Sequence, residues 1–243
     1  MAFFDLDQDD VMTRRMRIIA GVAILLGSHG LALAGSKEPG SPAPFAVASV
    51  YFEQNATDGD AEVVFEVKGG HEGLAKLAVV SPDGRTVIDF AADASTPGIR
   101  QFHFETPEPR DVKSLKSAYP EGRYTFAGAT AAGGRLHGES TLSHTLPATA
   151  SLLSPKAGAR GVSARALNIS WSPVKNLAAY IVRIKQRTLG VDLTARLPGS
   201  VTTFAVPDGL LRPGTEYQLA IGTVSVEGNI SFVETRFATA GRE

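Results

Sequence analysis

Short runs of alternating apolar and polar residues, each closed by turn residues, constrain this chain more than any other feature. Val63, Phe65 and Val67 alternate with Glu62, Glu66 and Lys68. Phe102 and Phe104 alternate with Gln101, His103 and Glu105, and Tyr124 and Phe126 share a face. A period of two with one apolar face describes a half-buried antiparallel strand. "SPDGR" (81–85) joins "LAKLAVV" to "TVIDF", and Pro-Asp-Gly supplies a turn between them. About seven such strands fit between Phe45 and Leu146, with a short turn or helix near Val112–Ala118; that spacing predicts an antiparallel sandwich.

"PATASLLSPKAGAR" (147–160) interrupts the pattern, and a second strand series follows at 166–171, 178–187, 202–207, 215–225 and 229–239. The expected fold class is therefore all-β, two tandem antiparallel β-sandwiches. The expected bodies are an immunoglobulin-like sandwich over 45–147, an interdomain linker over 148–160 and a second sandwich over 161–240. The chain has no cysteine among 243 residues. Disulfides, thiol nucleophiles and cysteine-ligated zinc are excluded, and the packed cores must supply the stability.

The N-terminus has the layout of a signal peptide over 1–34. "TRRMR" (13–17) is a basic segment, "IIAGVAILLG" (18–27) a short apolar one, and "ALA" (32–34) the small-x-small pattern read by a signal peptidase. Cleavage is expected after Ala34, leaving a periplasmic or extracellular product without stable membrane insertion. Gly27, Ser28, His29 and Gly30 end the apolar run well short of the ~20 residues of a spanning helix. The acidic stretch before Met12 suits a signal peptide poorly, so translation from Met12 or Met16 is an open alternative. "GSKEPGSPAP" (35–44) is a linker by composition.

Residues 1–34 hold 3 of the 24 basic and 4 of the 25 acidic residues, so the remainder carries 21 of each. A balanced chain lacks the basic footprint of a nucleic-acid binder. The balance hides an asymmetry: residues 35–151 carry 10 basic and 15 acidic residues, whereas 152–243 carry 11 and 6. Alternation of loops would gather Asp58, Asp60, Asp83, Glu108, Asp111 and Glu121 at the end facing the second sandwich. Neutralisation there by the second sandwich, near Lys156 and Arg160, is the expectation, with a bound calcium ion as the alternative.

Trp171 in an early strand, Tyr180 in the next, "LRPGTEY" (211–217) before a late strand and "SVEGNIS" (225–231) as the last hairpin resemble a fibronectin type III domain. The resemblance covers about residues 150–239, and it implies that Trp171 packs the core and that Tyr217 forms a corner tying a loop to a strand. In the first half, "NATDGDAE", "YPEGRYTFAGAT" and "LSHTLP" resemble segments of secreted bacterial proteins that pair such a domain with a fibronectin-like one. That resemblance implies export and architecture, with no assigned activity.

Asp58, Asp60 and Glu62 have the i, i+2, i+4 spacing of the first ligands of an EF-hand. Such a loop needs Gly sixth and Glu twelfth; those places hold Val63 and Gly69. A hairpin turn built on Asp58-Gly59 accounts for the stretch, with calcium at these three carboxylates as the weaker alternative and no other cofactor expected. The histidines after residue 34 are His71, His103, His137 and His144, and no two have the helical spacing of a zinc motif. His103 should face solvent. His144 shares a face with Leu142 and Leu146, as a hydrogen-bonded structural histidine at the domain junction would. Arg183, Lys185 and Arg187 alternate and should form a basic row, a solvated face or a site for an acidic glycan. Nucleophile elbows, P-loops and dinucleotide loops are absent from the sequence.

The expected function is an exported, non-catalytic binding or structural module of the bacterial cell envelope, with an envelope protein or glycan as partner. The alternatives are a polysaccharide-acting enzyme or accessory glycan-binding protein, and a periplasmic assembly factor.

Overall fold

The computed structural model describes residues 41–241 apart from 94, 108 and 110; the expected signal peptide and Glu108 lie outside the described residues. From Ser41 onward the chain forms one compact unit.

The first half contains β1 (Ala43–Pro44), β2 (Val47–Asn55), β3 (Asp60–Lys68), β4 (Leu74–Val80), β5 (Thr86–Ala91), β6 (Gln101–Glu105), helix α1 (Val112–Ala118), β7 (Gly122–Thr130) and β8 (Arg135–Leu142). β2, β3 and β6 form one layer; β1, β8, β7, β4 and β5 form the other. Val50, Phe52, Val63, Phe65, Val67, Leu77, Val79, Tyr124, Phe126 and Leu142 fill the space between them. The β4–β5 turn is the expected Pro82-Asp83-Gly84, with Gly84 at φ +83°. α1 starts where Asp111 accepts from the Ser114 backbone N–H at 2.8 Å, an N-cap that satisfies one orphan donor of the first turn. The end of the expected 35–44 linker is not free: Ala43 and Pro44 pair in parallel with Leu136 and His137.

The second half contains β9 (Leu152–Ser154), β10 (Asn168–Trp171), β11 (Leu177–Gln186), β12 (Val191–Pro198), β13 (Thr203–Ala205), β14 (Glu216–Ser225) and β15 (Ile230–Ala238). Two strands go beyond the sequence expectation. β9 lies within the segment expected as an interdomain linker, where Ala150 and Leu152 pack into the second core. β12 runs as "VDLTARLP" beside β11. Trp171, Tyr180 and Tyr217 are all buried in this core, with Trp171 and Tyr180 rings 5.3 Å apart.

Both sandwiches have the same strand order, three strands facing four. β2-β3-β6 faces β8-β7-β4-β5, and β9-β10-β13 faces β15-β14-β11-β12. Both also carry a tyrosine corner. The Tyr217 hydroxyl accepts from the Arg212 backbone N–H at 2.7 Å, and the Tyr124 hydroxyl donates to the Pro120 carbonyl at 3.1 Å. In each, a proline stands four residues before the tyrosine, Pro120 and Pro213.

The two halves are not beads on a linker. β15 pairs in parallel with β2, so one seven-stranded sheet, β12-β11-β14-β15-β2-β3-β6, runs through both sandwiches. A shared sheet removes two free edges and fixes the relative orientation of the bodies through directional backbone hydrogen bonds.

Candidate functional site

The seam between β2 and β15 is short in register, Ile230 opposite Glu53, Ser231 opposite Gln54 and Phe232 opposite Asn55. Ala56 N–H extends it to the Phe232 carbonyl at 2.8 Å. Side chains reinforce it: Gln54 Nε2 donates to Ser231 Oγ at 3.0 Å, and the Glu234 N–H donates to Thr57 Oγ1 at 2.7 Å. Its centre is Asn229, 1% exposed, in the β14–β15 hairpin. Asn229 Oδ1 accepts from the Phe52 N–H at 2.9 Å; Nδ2 donates to the Ser143 and Thr145 carbonyls at 2.8 and 2.9 Å. One amide thus joins a strand of the first sandwich, the segment leaving that sandwich and the last hairpin of the second. Buried backbone groups need partners, and here a side chain from the other sandwich provides them.

On the face of the shared sheet turned away from both cores, residues from the two halves meet. Arg183 of β11 stacks over the Phe232 ring at 4.2 Å and places Nη1 3.7 Å from Glu53 Oε1. Glu53 stands opposite Glu62, and Glu66 opposite His103, whose ring lies 3.5 Å from Glu66 and 2.7 Å from Glu105. Like charges directly opposite one another repel. Burial is the largest cause that pushes the Glu53 carboxyl up to about 7; Arg183 opposes it, while Glu62 and Glu105 add to it. Glu62 is likewise pushed up to about 7, first by burial, then by Glu105 and Asp60. Burial also raises the Tyr51 phenol, with Glu66 and Glu53 reinforcing it. Small apolar side chains, Ala179, Ala220, Val224 and Ile230, pave the same face beside Phe232 and Tyr51. The arrangement can bind and release protons near neutrality, over an apolar floor that is itself buried.

The Asp58–Glu62 stretch begins as a hairpin turn. Asp58 accepts from the Asp60 N–H and from Asn55 Nδ2, each at 3.1 Å, and Gly59 takes φ +84°. Asp60 and Glu62 continue into β3, where Glu62 meets Glu53 rather than Asp58. Among the described residues no group of three or more carboxylate, imidazole or thiol side chains is placed to hold a metal ion.

Among the described residues the charge-matched junction expected from the sequence does not form. The loops do gather at one end, since Gly122 pairs with Leu142 and Val80 with Thr125. Their carboxylates are spent locally: Asp83 pairs with Arg85 at 2.7 Å, Asp111 caps α1, and Glu121 accepts from the His144 N–H. Among the described residues none of them pairs with Lys156 or Arg160. His144 sits at the junction, mostly buried, with Nε2 2.8 Å from the Tyr119 carbonyl and its ring 5.5 Å from Phe52. The basic row is also shorter than expected. β11 ends at Gln186, Arg187 opens a 3-10 turn, and Arg183 turns to Glu53 and Phe232. Lys185 instead lines an open depression of about 320 Å³ with Arg187, Arg236 and Glu216, the last two paired at 3.3 Å.

Sequence reasoning missed Glu53, Arg183's partner, and Asn229. Glu53 was legible as a carboxylate inside an otherwise apolar strand. Asn229 resembled an ordinary hairpin residue, because its partners lie 177, 86 and 84 residues away.

The strand order of the second sandwich, three strands facing four with a tyrosine corner, is that of a fibronectin type III-like β-sandwich. Among solved structures, the chain is similar to fibronectin(III)-like modules of Clostridium thermocellum CbhA, at 11% identity, covering 81% of this chain and 92% of that one, with a TM-score of 0.34. A two-domain fibronectin type III segment of chicken tenascin matches at 15% identity, with 80% and 99% coverage and a TM-score of 0.31. The FN1–FN3 domains of chicken CNTN1 match at 11% identity, with 82% and 65% coverage and a TM-score of 0.32. No protein-family model matches the chain. No curated protein matches it either.

Proposed function

We propose that this chain is an exported, non-catalytic binding or structural module of the bacterial cell envelope that works as one rigid body. The observation that carries the reading is the shared seven-stranded sheet with Asn229 at its seam. A module whose halves must bend independently has no use for a buried amide bridging them, whereas a spacer or a presenting platform does. The titratable groups support a non-catalytic role: Glu53, Glu62, Glu66, His103 and Glu105 are spread along three neighbouring strands, from buried Glu53 to exposed His103 and Glu105, rather than converging around a cleft. Export rests on the basic, apolar and small-x-small order of residues 13–34. The accessory glycan-binding reading asks for aromatic rings exposed across a sheet; Trp171 is buried, so nothing favours it.

The test is affinity capture from envelope extract with the chain from Gly35, together with N-terminal sequencing of the exported product. A mature terminus at Gly35 and recovery of a specific envelope protein or glycan are expected. Retention of the chain in the cytoplasm, or hydrolysis of envelope polysaccharide by the purified chain, would refute the reading.

A further inference from the structure

β12 ends the seven-stranded sheet and pairs as a strand only with β11 among the described residues. Open strand edges invite pairing, and proteins blunt them with bulges, prolines or charged side chains. β12 has no bulge, and its two charges, Asp192 and Arg196, are opposite in sign, so they can complement a second copy rather than repel it. It is eight residues long, its register with β11 has no shift, and its proline is the last residue, Pro198. Its side chains alternate strictly: Asp192, Thr194, Arg196 and Pro198 are exposed, while Val191, Leu193, Ala195 and Leu197 are partly buried at the rim of the second core.

We propose that this edge is a self-association surface, on which a second copy of the chain adds its own β12 in antiparallel register centred on Thr194. In that register each Asp192 lies opposite Arg196 of the second copy, twice over. On the other face Val191 meets Leu197 and Leu193 meets Ala195, which covers the half-exposed apolar rim. Neither Asp192 nor Arg196 has an ion-pair partner among the described residues. Asp192 stands opposite Lys185 within the sheet, so the charges would alternate across the joint, Lys185, Asp192, then Arg196 of the second copy. Directly opposed unlike charges favour a strand pair, and like charges oppose it. The other edges fit self-pairing less well: β1, β9 and β13 are only two or three residues long. β6, at the far end of the sheet, is five residues long, and pairing about His103 would set Gln101 against Glu105. β5 borders a register shift with β4. The joint is smaller than a standard interface of ~1,600 Å², so the dimer is weak and concentration-dependent. The proposal is independent of export and of any envelope ligand.

Sedimentation of the full chain over a concentration series tests it. Asp192→Arg and Arg196→Asp each set like charges against each other and weaken the dimer by at least ~10-fold. The double exchange Asp192→Arg/Arg196→Asp restores it. Because the chain has no cysteine, Thr194→Cys gives a separate readout. Opposed residues of an antiparallel pair have Cα atoms about 4.5–5.5 Å apart, within disulfide reach, so mild oxidation links two copies, while Lys175→Cys on a distant exposed loop does not. The proposal is overturned if wild type stays monomeric up to roughly millimolar concentration. It is equally overturned if single reversals leave the dimer unchanged, if the double exchange fails to restore it, or if Thr194→Cys links no more than Lys175→Cys. Each of these outcomes leaves the envelope-capture test of the preceding section untouched.

Discussion

The side-chain amide of Asn229 holds the backbone N–H of Phe52 at 2.9 Å, across 177 residues of chain and across the boundary between two sandwiches. That contact, with the two carbonyls taken by the same amide, braces the β2–β15 pairing that joins the two sandwiches into one continuous sheet.

Asn229→Ala leaves the Phe52 N–H and the Ser143 and Thr145 carbonyls to find other partners. A buried group left unsatisfied costs about 1–3 kcal/mol; the Phe52 N–H is buried, while the part-buried Ser143 and Thr145 carbonyls can turn to water, so a loss of about 2–4 kcal/mol in total is expected. It should also uncouple the halves, turning one denaturant transition into two. Trp171, the only tryptophan, reports the second sandwich by fluorescence, and circular dichroism reports both.

Glu53 predicts a pH dependence. Its carboxyl is raised in the folded chain from 4.5 to about 7, so the folded state binds the proton more tightly than the unfolded one. The associated stability is complete below about pH 4.5 and is lost as pH rises through about 7. The shift corresponds to about 3 kcal/mol at most. Glu53→Gln carries no charge to bury, so it should match wild type near pH 4.5 and exceed it in stability at pH 8. Urea midpoints at the two pH values measure this; a variant less stable than wild type at pH 8 would show that the Arg183 ion pair outweighs the burial cost.

Trp171 is 1% exposed, and its indole N–H has no hydrogen-bond partner. Trp171→Ala should cost about 3–5 kcal/mol, as large aromatic truncations do. Trp171→Phe gives up no hydrogen bond and should cost distinctly less than the alanine variant. Thermal or chemical denaturation followed by circular dichroism compares the two.

The two tyrosine corners should behave alike. Tyr217→Phe and Tyr124→Phe each remove one hydroxyl bond to backbone while keeping the ring in its core. Each should cost about 0.5–1.5 kcal/mol, measured as a fall in the denaturation midpoint with no change in slope.

Local pattern was legible in the sequence wherever one face of a strand is buried. Val63, Phe65 and Val67 do line the first core, "SPDGR" is a turn, and Val112–Ala118 is a helix. "VDLTARLP" alternates just as clearly, yet its apolar residues are half-exposed at a sheet edge, which weakens the contrast between its two faces. The first tyrosine corner lay in "YPEGRYTF", beside the very proline spacing seen in "LRPGTEY". The seam was not legible. Its centre is a hairpin asparagine, a residue type that usually faces solvent, and the partners of Asn229 are set by tertiary docking. The expected charge match failed for a related reason: exposed carboxylates found nearby serine, arginine and backbone donors within their own loops.

The central claim is that the sandwiches move as one body. The cysteine-free chain allows spin labels at Asp89→Cys in the first half and Lys175→Cys in the second, both exposed positions, spin-diluted with unlabelled chain. Pulsed electron paramagnetic resonance then reads the distance distribution between them. A single narrow distance, unchanged by salt and broadened by Asn229→Ala, is the expected result; a broad distribution in the wild-type background would contradict the claim.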